Sequence, residues 1–237
     1  MKAVILAGGK GKRLEPYSTI LPKPLLPIGD FPILEVIIRQ LKSYGFSDIV
    51  LACGYLGNLI ETYFGDGKRF GVKINYNFET KPLGTVGALP FIPKLNRTFL
   101  VMNGDILTTL DSSKFLKYHK ARNSLATIAV RQREMMVDFG VAEFNDLKHL
   151  VKYIEKPTLK YTVSMGIYAF EPEIVNFIPQ GTKLDFPDLM NILLKKRKRI
   201  SVYDSNDFWL DLGRPEDYKK GMEEFEKIKD KIFKNGV

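Results

Sequence analysis

Three glycines follow the first apolar run of the chain, in Leu6-Ala7-Gly8-Gly9-Lys10-Gly11-Lys12-Arg13-Leu14. Glycines so placed let backbone N–H groups approach an anion closely, and Lys10, Lys12 and Arg13 add charge-assisted donors. The chemistry this suits is holding a phosphate chain; the plainer alternative is a tight turn after a strand, with its charges in water. Two familiar phosphate loops are excluded. The dinucleotide fingerprint wants a third glycine where Leu14 stands, and the P-loop wants Ser or Thr where Arg13 follows Gly11-Lys12. Further on, Lys23 stands between Pro22 and Pro24, whose rings restrict the backbone and so fix where the lysine points. An immobilised lysine near a glycine loop suits a polyphosphate clamp, and otherwise is a solvent lysine in a proline-rich loop. Two aspartates complete the candidates. Asp105 ends an apolar run as Asn103-Gly104-Asp105, and Asp211 lies in Trp209-Leu210-Asp211-Leu212-Gly213. Spacing does not show that they meet: Asp105 also reads as a turn cap and Asp211 as a surface carboxylate.

These residues need elements to hold them. Residues 3–6 read as a short buried strand, 33–44 carry apolar residues at helical spacing, and 48–52 are strand-like. Residues 56–64 look helical and stop at Gly65-Asp66-Gly67, 72–78 alternate as a strand does, and 99–102 form a short apolar run. Strand–helix alternation of this kind predicts crossover units and a mostly parallel sheet, and Asp105 then lies at the carboxyl edge, where ligands bind in open α/β folds. The second half differs: 125–130, 140–144, 151–154 and 163–170 are strand-like with little helix between them, followed by helical patterns at 186–196 and 215–233. The expectation is an α/β sheet with a more antiparallel region, in one continuous domain over 1–237 without linker or repeat.

Composition narrows the class. With 45% hydrophobic and 27% charged residues, the chain has the make-up of a globular domain, and no apolar run approaches the roughly 20 residues that span a membrane. The apolar start at 1–6 is too short for a signal peptide and ends in glycines and charges. Cys53 is the single cysteine, and His119 and His149 are isolated, so no Cys/His metal cluster forms and a cytoplasmic location is expected. The net charge of +9 asks for an anionic partner, but the basic run Lys195–Arg199 reads as the solvated end of a helix. No aromatic residues interleave with it, so neither nucleic acid nor membrane is expected as a partner.

Taken together, the motifs resemble those of the sugar-phosphate nucleotidyltransferases. The glycine loop with Lys23-Pro24-x-x-Pro27-Ile28 is similar to that family's signature. Phe64-Gly65-Asp66-Gly67, Pro82-Leu83-Gly84-Thr85, Asn103-Gly104-Asp105, Glu155-Lys156-Pro157, Gly166-Ile167-Tyr168 and the segment from Trp209 to Pro215 follow in the family's order. The closest flavour is that of short members resembling mannose-1-phosphate guanylyltransferases or glucose-1-phosphate thymidylyltransferases. The resemblance implies a Rossmann-like, three-layer α/β fold with a mixed, mostly parallel sheet and a partly antiparallel substrate side. A nucleotide-binding half would cover about 1–110 and a sugar-phosphate-binding half about 111–237. It also implies attack of a sugar 1-phosphate on the α-phosphorus of a nucleoside triphosphate, giving a nucleotide sugar and pyrophosphate.

Residue by residue, the resemblance implies Mg²⁺ held by Asp105 and Asp211, and Arg13 and Lys23 on the nucleotide phosphates and the leaving pyrophosphate. Lys156 would take the sugar phosphate. Leu6, Ala7, Gly8, Gly9, Gly11, Lys12, Pro82, Gly84, Thr85, Asn103 and Gly104 would line the nucleotide, and Gly140, Glu155, Ser164 and Gly166 the sugar. Gly140 also reads as a plain turn before a strand. Two positions depart from the family pattern: Lys12 stands where Thr or Ser is usual, and Ser164 where Asn is frequent. Guanylyl transfer to a mannose- or heptose-type phosphate is the leading expectation. Thymidylyl, cytidylyl or uridylyl transfer to glucose 1-phosphate or another phosphorylated acceptor is the alternative, and a non-catalytic nucleotide-sugar-binding regulator is an alternative of another class. A homodimer is the general prior for the assembly.

Overall fold

A computed structural model describes residues 1–79 and 81–233. Its strands are β1 (Lys2–Ala7), β2 (Pro27–Ile28), β3 (Phe31–Pro32), β4 (Asp48–Cys53), β5 (Lys73–Phe78), β6 (Phe99–Asn103), β7 (Ile106–Thr108), β8 (Ala126–Met136), β9 (Val141–Phe144), β10 (Leu150–Ile154), β11 (Thr158–Phe170), β12 (Ile200–Asp204) and β13 (Trp209–Asp211). Its α-helices are α1 (Tyr17–Ile20), α2 (Ile33–Ser43), α3 (Gly57–Phe64), α4 (Ser112–Ala121), α5 (Phe186–Lys195) and α6 (Pro215–Ile232).

Seven strands form the central sheet in the order β12-β8-β11-β6-β1-β4-β5. The neighbours β6, β1, β4 and β5 are parallel, β8 and β12 pair in parallel, and β11 is antiparallel to both β6 and β8. This is the mixed, mostly parallel α/β sheet expected. The antiparallel share comes from β11 and from the β9–β10 hairpin. Alternation of side chains splits the core in two. Ala3 and Ile5 of β1 pack with α2 and α6 on one face, whereas Val4 packs with Leu189 and Leu193 of α5 on the other.

Helix α4 lies between residues 102 and 125, a stretch in which no element was expected. Asp111 caps it, its carboxylate accepting from Ser113 N–H at 3.0 Å and Lys114 N–H at 3.1 Å. The helix buries Phe115, Leu116 and His119, and its remaining surface is polar, so its apolar stripe is narrow. His119 is fully buried, with Nδ1 2.7 Å from Thr127 Oγ1 and Nε2 3.1 Å from Glu171 Oε1. The carboxylate only accepts, so Nε2 carries the proton and Thr127 donates to Nδ1. Burial pushes the His119 pKa below its ordinary 6.5, against the pull of Glu171. The unfolded chain therefore takes up a proton that the native chain refuses as pH falls below 6.5, and stability is lost in that direction. In thermal melts, the advantage of the wild type over His119→Gln should be largest above pH 7 and shrink toward pH 5. A gap that does not change with pH would contradict this.

Candidate phosphate and cation site

Register brings the site together. Leu6 of β1 lies opposite Asn103 of β6, and Ala7 opposite Cys53 of β4, so three parallel strands end at one edge. Gly8, Gly54 and Gly104 follow these strand ends. A Cβ on Gly54 would meet Gly8 O at 2.7 Å, and one on Gly104 would meet Leu6 O at 2.9 Å, so the backbones close up only because side chains are missing. The glycine loop then turns through Gly11, whose φ of 64° is left-handed, into a single 3₁₀ turn, Lys12–Leu14. Ser18 Oγ donates to Gly11 O at 2.8 Å and ties the loop to α1.

Asp105 and Asp211 do meet, because the short strands β7 and β13 form an antiparallel ribbon with Asp211 opposite Ile106. Leu212 N–H donates to Asp105 O at 2.9 Å and closes the ribbon beside both carboxylates. Lys23 begins a 3₁₀ turn after the extended Pro22, and its side chain is only 9% exposed. Its Nζ is ion-paired with Asp105 Oδ2 and lies 4.0 Å from Asp211 Oδ1. Burial, then the nearby Asp105 carboxylate, push the Asp211 pKa above the ordinary carboxylate range, opposed by Lys23, the Gly213 N–H and Arg13. Asp105 Oδ1 is buried with no hydrogen-bond partner among the described residues. A pair of carboxylates sharing one lysine, with one buried oxygen unmatched, has room and charge for a further cation.

A cleft of about 220 Å³ opens over this pair. Leu6, Ala7, Gly9, Gly11, Lys12, Arg13, Lys23, Gly104 and Asp105 line it, as do two residues that sequence reasoning did not single out, Pro24 and Gly213. Gly213 has a structural reason: a Cβ there would lie 2.7 Å from Asp211 Oδ1, 3.1 Å from Arg13 Nη2 and 3.3 Å from Lys23 Nζ. The bare glycine lets these three side chains converge. Its position after Leu-Asp-Leu was the available signal.

The other expected residues stand apart from this cleft. Gly84, with a φ of 76°, and Thr85 are fastened to the start of α5: Thr85 N–H donates to Asp185 Oδ1 at 3.0 Å, and Phe186 N–H to Thr85 Oγ1 at 2.8 Å. Pro82 precedes them, and the adjacent Leu83 N–H donates to Glu79, whose burial raises its pKa. Asn103 is packed under Gly166, where a Cβ would lie 2.6 Å from Asn103 Nδ2. Ser164 sits at a register shift of β11, donating to Tyr168 OH at 3.0 Å and accepting from Gly166 N–H at 3.2 Å. Gly140 and Glu155 lie together around Tyr153 on the exposed β9–β10 arm. Lys156 follows, exposed, with a φ of 45°. Among the described residues, no hydrogen bond or ion pair joins Glu155 or Lys156 to Lys23, Asp105 or Asp211.

Fold and site define an α/β protein that gathers a glycine loop, three cationic side chains and two carboxylates at the carboxyl edge of its sheet. The chain belongs to the nucleotidyl transferase family, whose model matches residues 2–228. It is 35% identical over 238 residues to a UTP–glucose-1-phosphate uridylyltransferase of Synechocystis, covering 92% of this chain and 61% of that one. It is 34% identical over 221 residues to the D-glycero-alpha-D-manno-heptose 1-phosphate guanylyltransferase of Campylobacter jejuni, covering 92% of this chain and 97% of that one. The solved structure of HddC from Yersinia pseudotuberculosis complexed with GMP-PN superposes with a TM-score of 0.72 at 27% identity, covering 94% of this chain and 99% of that one. The chain spans about three fifths of the length of the first curated relatives it matches. No helix among the described residues is long and apolar enough to cross a membrane.

Lys12 lines the cleft beside Arg13, so its charge adds to that of Arg13 there. Lys12→Thr should therefore keep turnover within about tenfold of wild type, the scale of one surface-exposed phosphate contact. Steady-state kinetics check this, and complete loss would make Lys12 the principal phosphate ligand.

Proposed function

We propose that this chain transfers a nucleotidyl group from a nucleoside triphosphate to a sugar 1-phosphate and releases pyrophosphate, with GTP and a mannose- or heptose-type phosphate as its substrates. The observation that carries the proposal is Lys23 ion-paired with Asp105 and facing Asp211, at the floor of a cleft walled by the glycine loop and Arg13. The curated relatives support the sugar class: their names are those of uridylyl- and guanylyltransferases acting on glucose, mannose and heptose 1-phosphates. Guanine is favoured by the heptose guanylyltransferase, which matches this chain over nearly its whole length, and by the HddC complex with a guanine nucleotide analogue.

In this reading the backbone N–H groups of Gly8 to Gly11 cradle the triphosphate, and Arg13 and Lys23 hold its charge in place. An oxygen of the sugar phosphate attacks the α-phosphorus, the bond from that phosphorus to the β-phosphate oxygen breaks, and pyrophosphate leaves on the Arg13 and Lys23 side. No side chain needs to form a covalent intermediate. Asp105 and Asp211 fit Mg²⁺ because one buried oxygen of Asp105 is unmatched and the pair is rich in negative charge. Two carboxylates alone are few for a protein-made metal cage, which suits an ion that keeps waters and takes substrate phosphates as further ligands. When bound, Mg²⁺ supplies positive charge to the reacting phosphate oxygens. Lys156, Glu155 and Gly140 belong to the sugar phosphate, with residues 1–110 serving the nucleotide and 111–237 the acceptor.

The reverse reaction tests the proposal: GDP-mannose, pyrophosphate and Mg²⁺ should give GTP and mannose 1-phosphate. No nucleoside triphosphate from any nucleotide sugar offered would refute it. Lys156→Ala should raise the acceptor KM about tenfold to a hundredfold, the scale of one charge-assisted contact, and leave the GTP KM within about twofold. An unchanged acceptor KM would remove Lys156 from the site.

A further inference from the structure

Strand β8 runs past the central sheet, and its far half pairs with β11: Arg131 opposite Val163, Arg133 opposite Tyr161 and Met135 opposite Leu159. Alternation puts Arg131 and Arg133 on one face and Gln132 and Glu134 on the other. The second face settles its own charge, with Lys160 Nζ 3.0 Å from Glu134 Oε1. The first face does not. Uncharged residues stand opposite both arginines, and neither arginine is ion-paired among the described residues. Arg131 Nη1 is also buried without a hydrogen-bond partner among the described residues. A buried guanidinium N–H without an acceptor is costly, and an incoming oxyanion removes that cost.

Arg133 shows where this face points. Its guanidinium carbon lies 5.6 Å from the centroid of the Trp209 ring, and Trp209 is held by its indole N–H, which donates to Met165 O at 2.8 Å. Trp209 and Asp211 are alternate residues of β13, so their side chains project to the same side, about 7 Å apart along the strand. Through the Trp209 ring, Arg133 therefore lies on the side of β13 to which Asp211 also projects, and Arg131 shares its face of β8.

We propose that Arg131 and Arg133 form an anion subsite on the acceptor side of the cleft. It takes a phosphate or carboxylate of the acceptor, either the reacting phosphate itself or a second acidic group on the sugar. The word acceptor rests on the nucleotidyl-transfer reading; the anion subsite does not. Two guanidinium forks on one face suit a planar or tetrahedral oxyanion better than a neutral hydroxyl.

Calorimetric titration of the wild type and of Arg131→Gln/Arg133→Gln with mannose 1-phosphate and mannose 1,6-bisphosphate tests this. The double variant should bind the bisphosphate at least about tenfold more weakly. An equal loss for the monophosphate assigns the subsite to the reacting phosphate, and a loss confined to the bisphosphate assigns it to a second acidic group. Arg131→Lys/Arg133→Lys should recover part of the affinity. Should the double variant not fold, Arg133→Gln alone serves, because its guanidinium lies over the Trp209 ring and is not among the buried unmatched groups. Equal dissociation constants in wild type and variant, for both sugars, overturn the proposal. Because binding is read without turnover, failure of the nucleotidyl-transfer reading shows separately, as wild type that binds these sugars yet releases no pyrophosphate.

Discussion

Asp105→Asn should leave a folded protein whose pyrophosphate release is slower by about a thousandfold or more, the scale of losing a catalytic cation or a preorganised charge contact. The substitution keeps the shape of the side chain, so the β7–β13 ribbon and its Leu212-to-Asp105 backbone bond have no reason to open. What goes is the negative charge. Lys23 loses the carboxylate it is paired with, and the buried unmatched oxygen becomes, at best, a neutral amide oxygen with weak appetite for a cation. Asp211→Asn should act in the same direction with a smaller effect, since Asp211 is more exposed, with 47% of its side chain accessible against 26% for Asp105. The signature to look for is a steep rise in the Mg²⁺ concentration needed for half-maximal rate. Pyrophosphate release within tenfold of wild type in both variants would remove the carboxylate pair from the mechanism.

Lys23→Met should lower kcat by about a hundredfold to a thousandfold, the loss seen when one preorganised donor to a developing charge is removed. Methionine keeps the length of the side chain, and the flanking prolines keep the turn, so position is retained while charge is lost. Two consequences follow from the pair it leaves behind. The leaving pyrophosphate loses a cation, which lowers kcat. The two carboxylates lose the lysine that opposes their repulsion, which pushes Asp211 further up from a pKa already raised by burial and by Asp105. The pH profile of the variant should therefore lose activity on the acid side earlier than the wild type does. Lys23→Arg should recover only part of the rate, because a guanidinium fork does not fit where a single ammonium approaches both carboxylates. A Lys23→Met enzyme with unchanged kcat would place the pyrophosphate elsewhere.

The parts of this molecule that were legible in its sequence are those set by short-range rules. A buried strand running into glycines, an apolar helix stripe from Ile33, and a proline-locked lysine each carry their own signal, and β1, α2 and Lys23 stand where those signals put them. Helix α4 was missed because it buries only a narrow stripe under a polar surface, although its Asp111-Ser112-Ser113 cap was visible. Strand β13 was missed because it has only three residues, and β12, as long as β6, was not read either. Yet β13 is what carries Asp211 to Asp105, a pairing of strands far apart in the chain that no local pattern encodes. The same limit hid the tether between Thr85 and the start of α5. The packing of Arg133 over the Trp209 ring was equally out of reach. Glycines were legible where they served a turn, as at Gly11, and illegible where they made room for side chains from elsewhere, as at Gly213.

The most direct measurement is pyrophosphate release with Mg²⁺ across GTP, CTP, UTP, dTTP and ATP, each against a panel of sugar 1-phosphates. The account predicts one strong pairing, GTP with a mannose- or heptose-type 1-phosphate, lost in Asp105→Asn. Strong release with another base would correct the substrate and leave the mechanism standing. Folded protein that binds a nucleotide and releases no pyrophosphate with any pair would contradict the account.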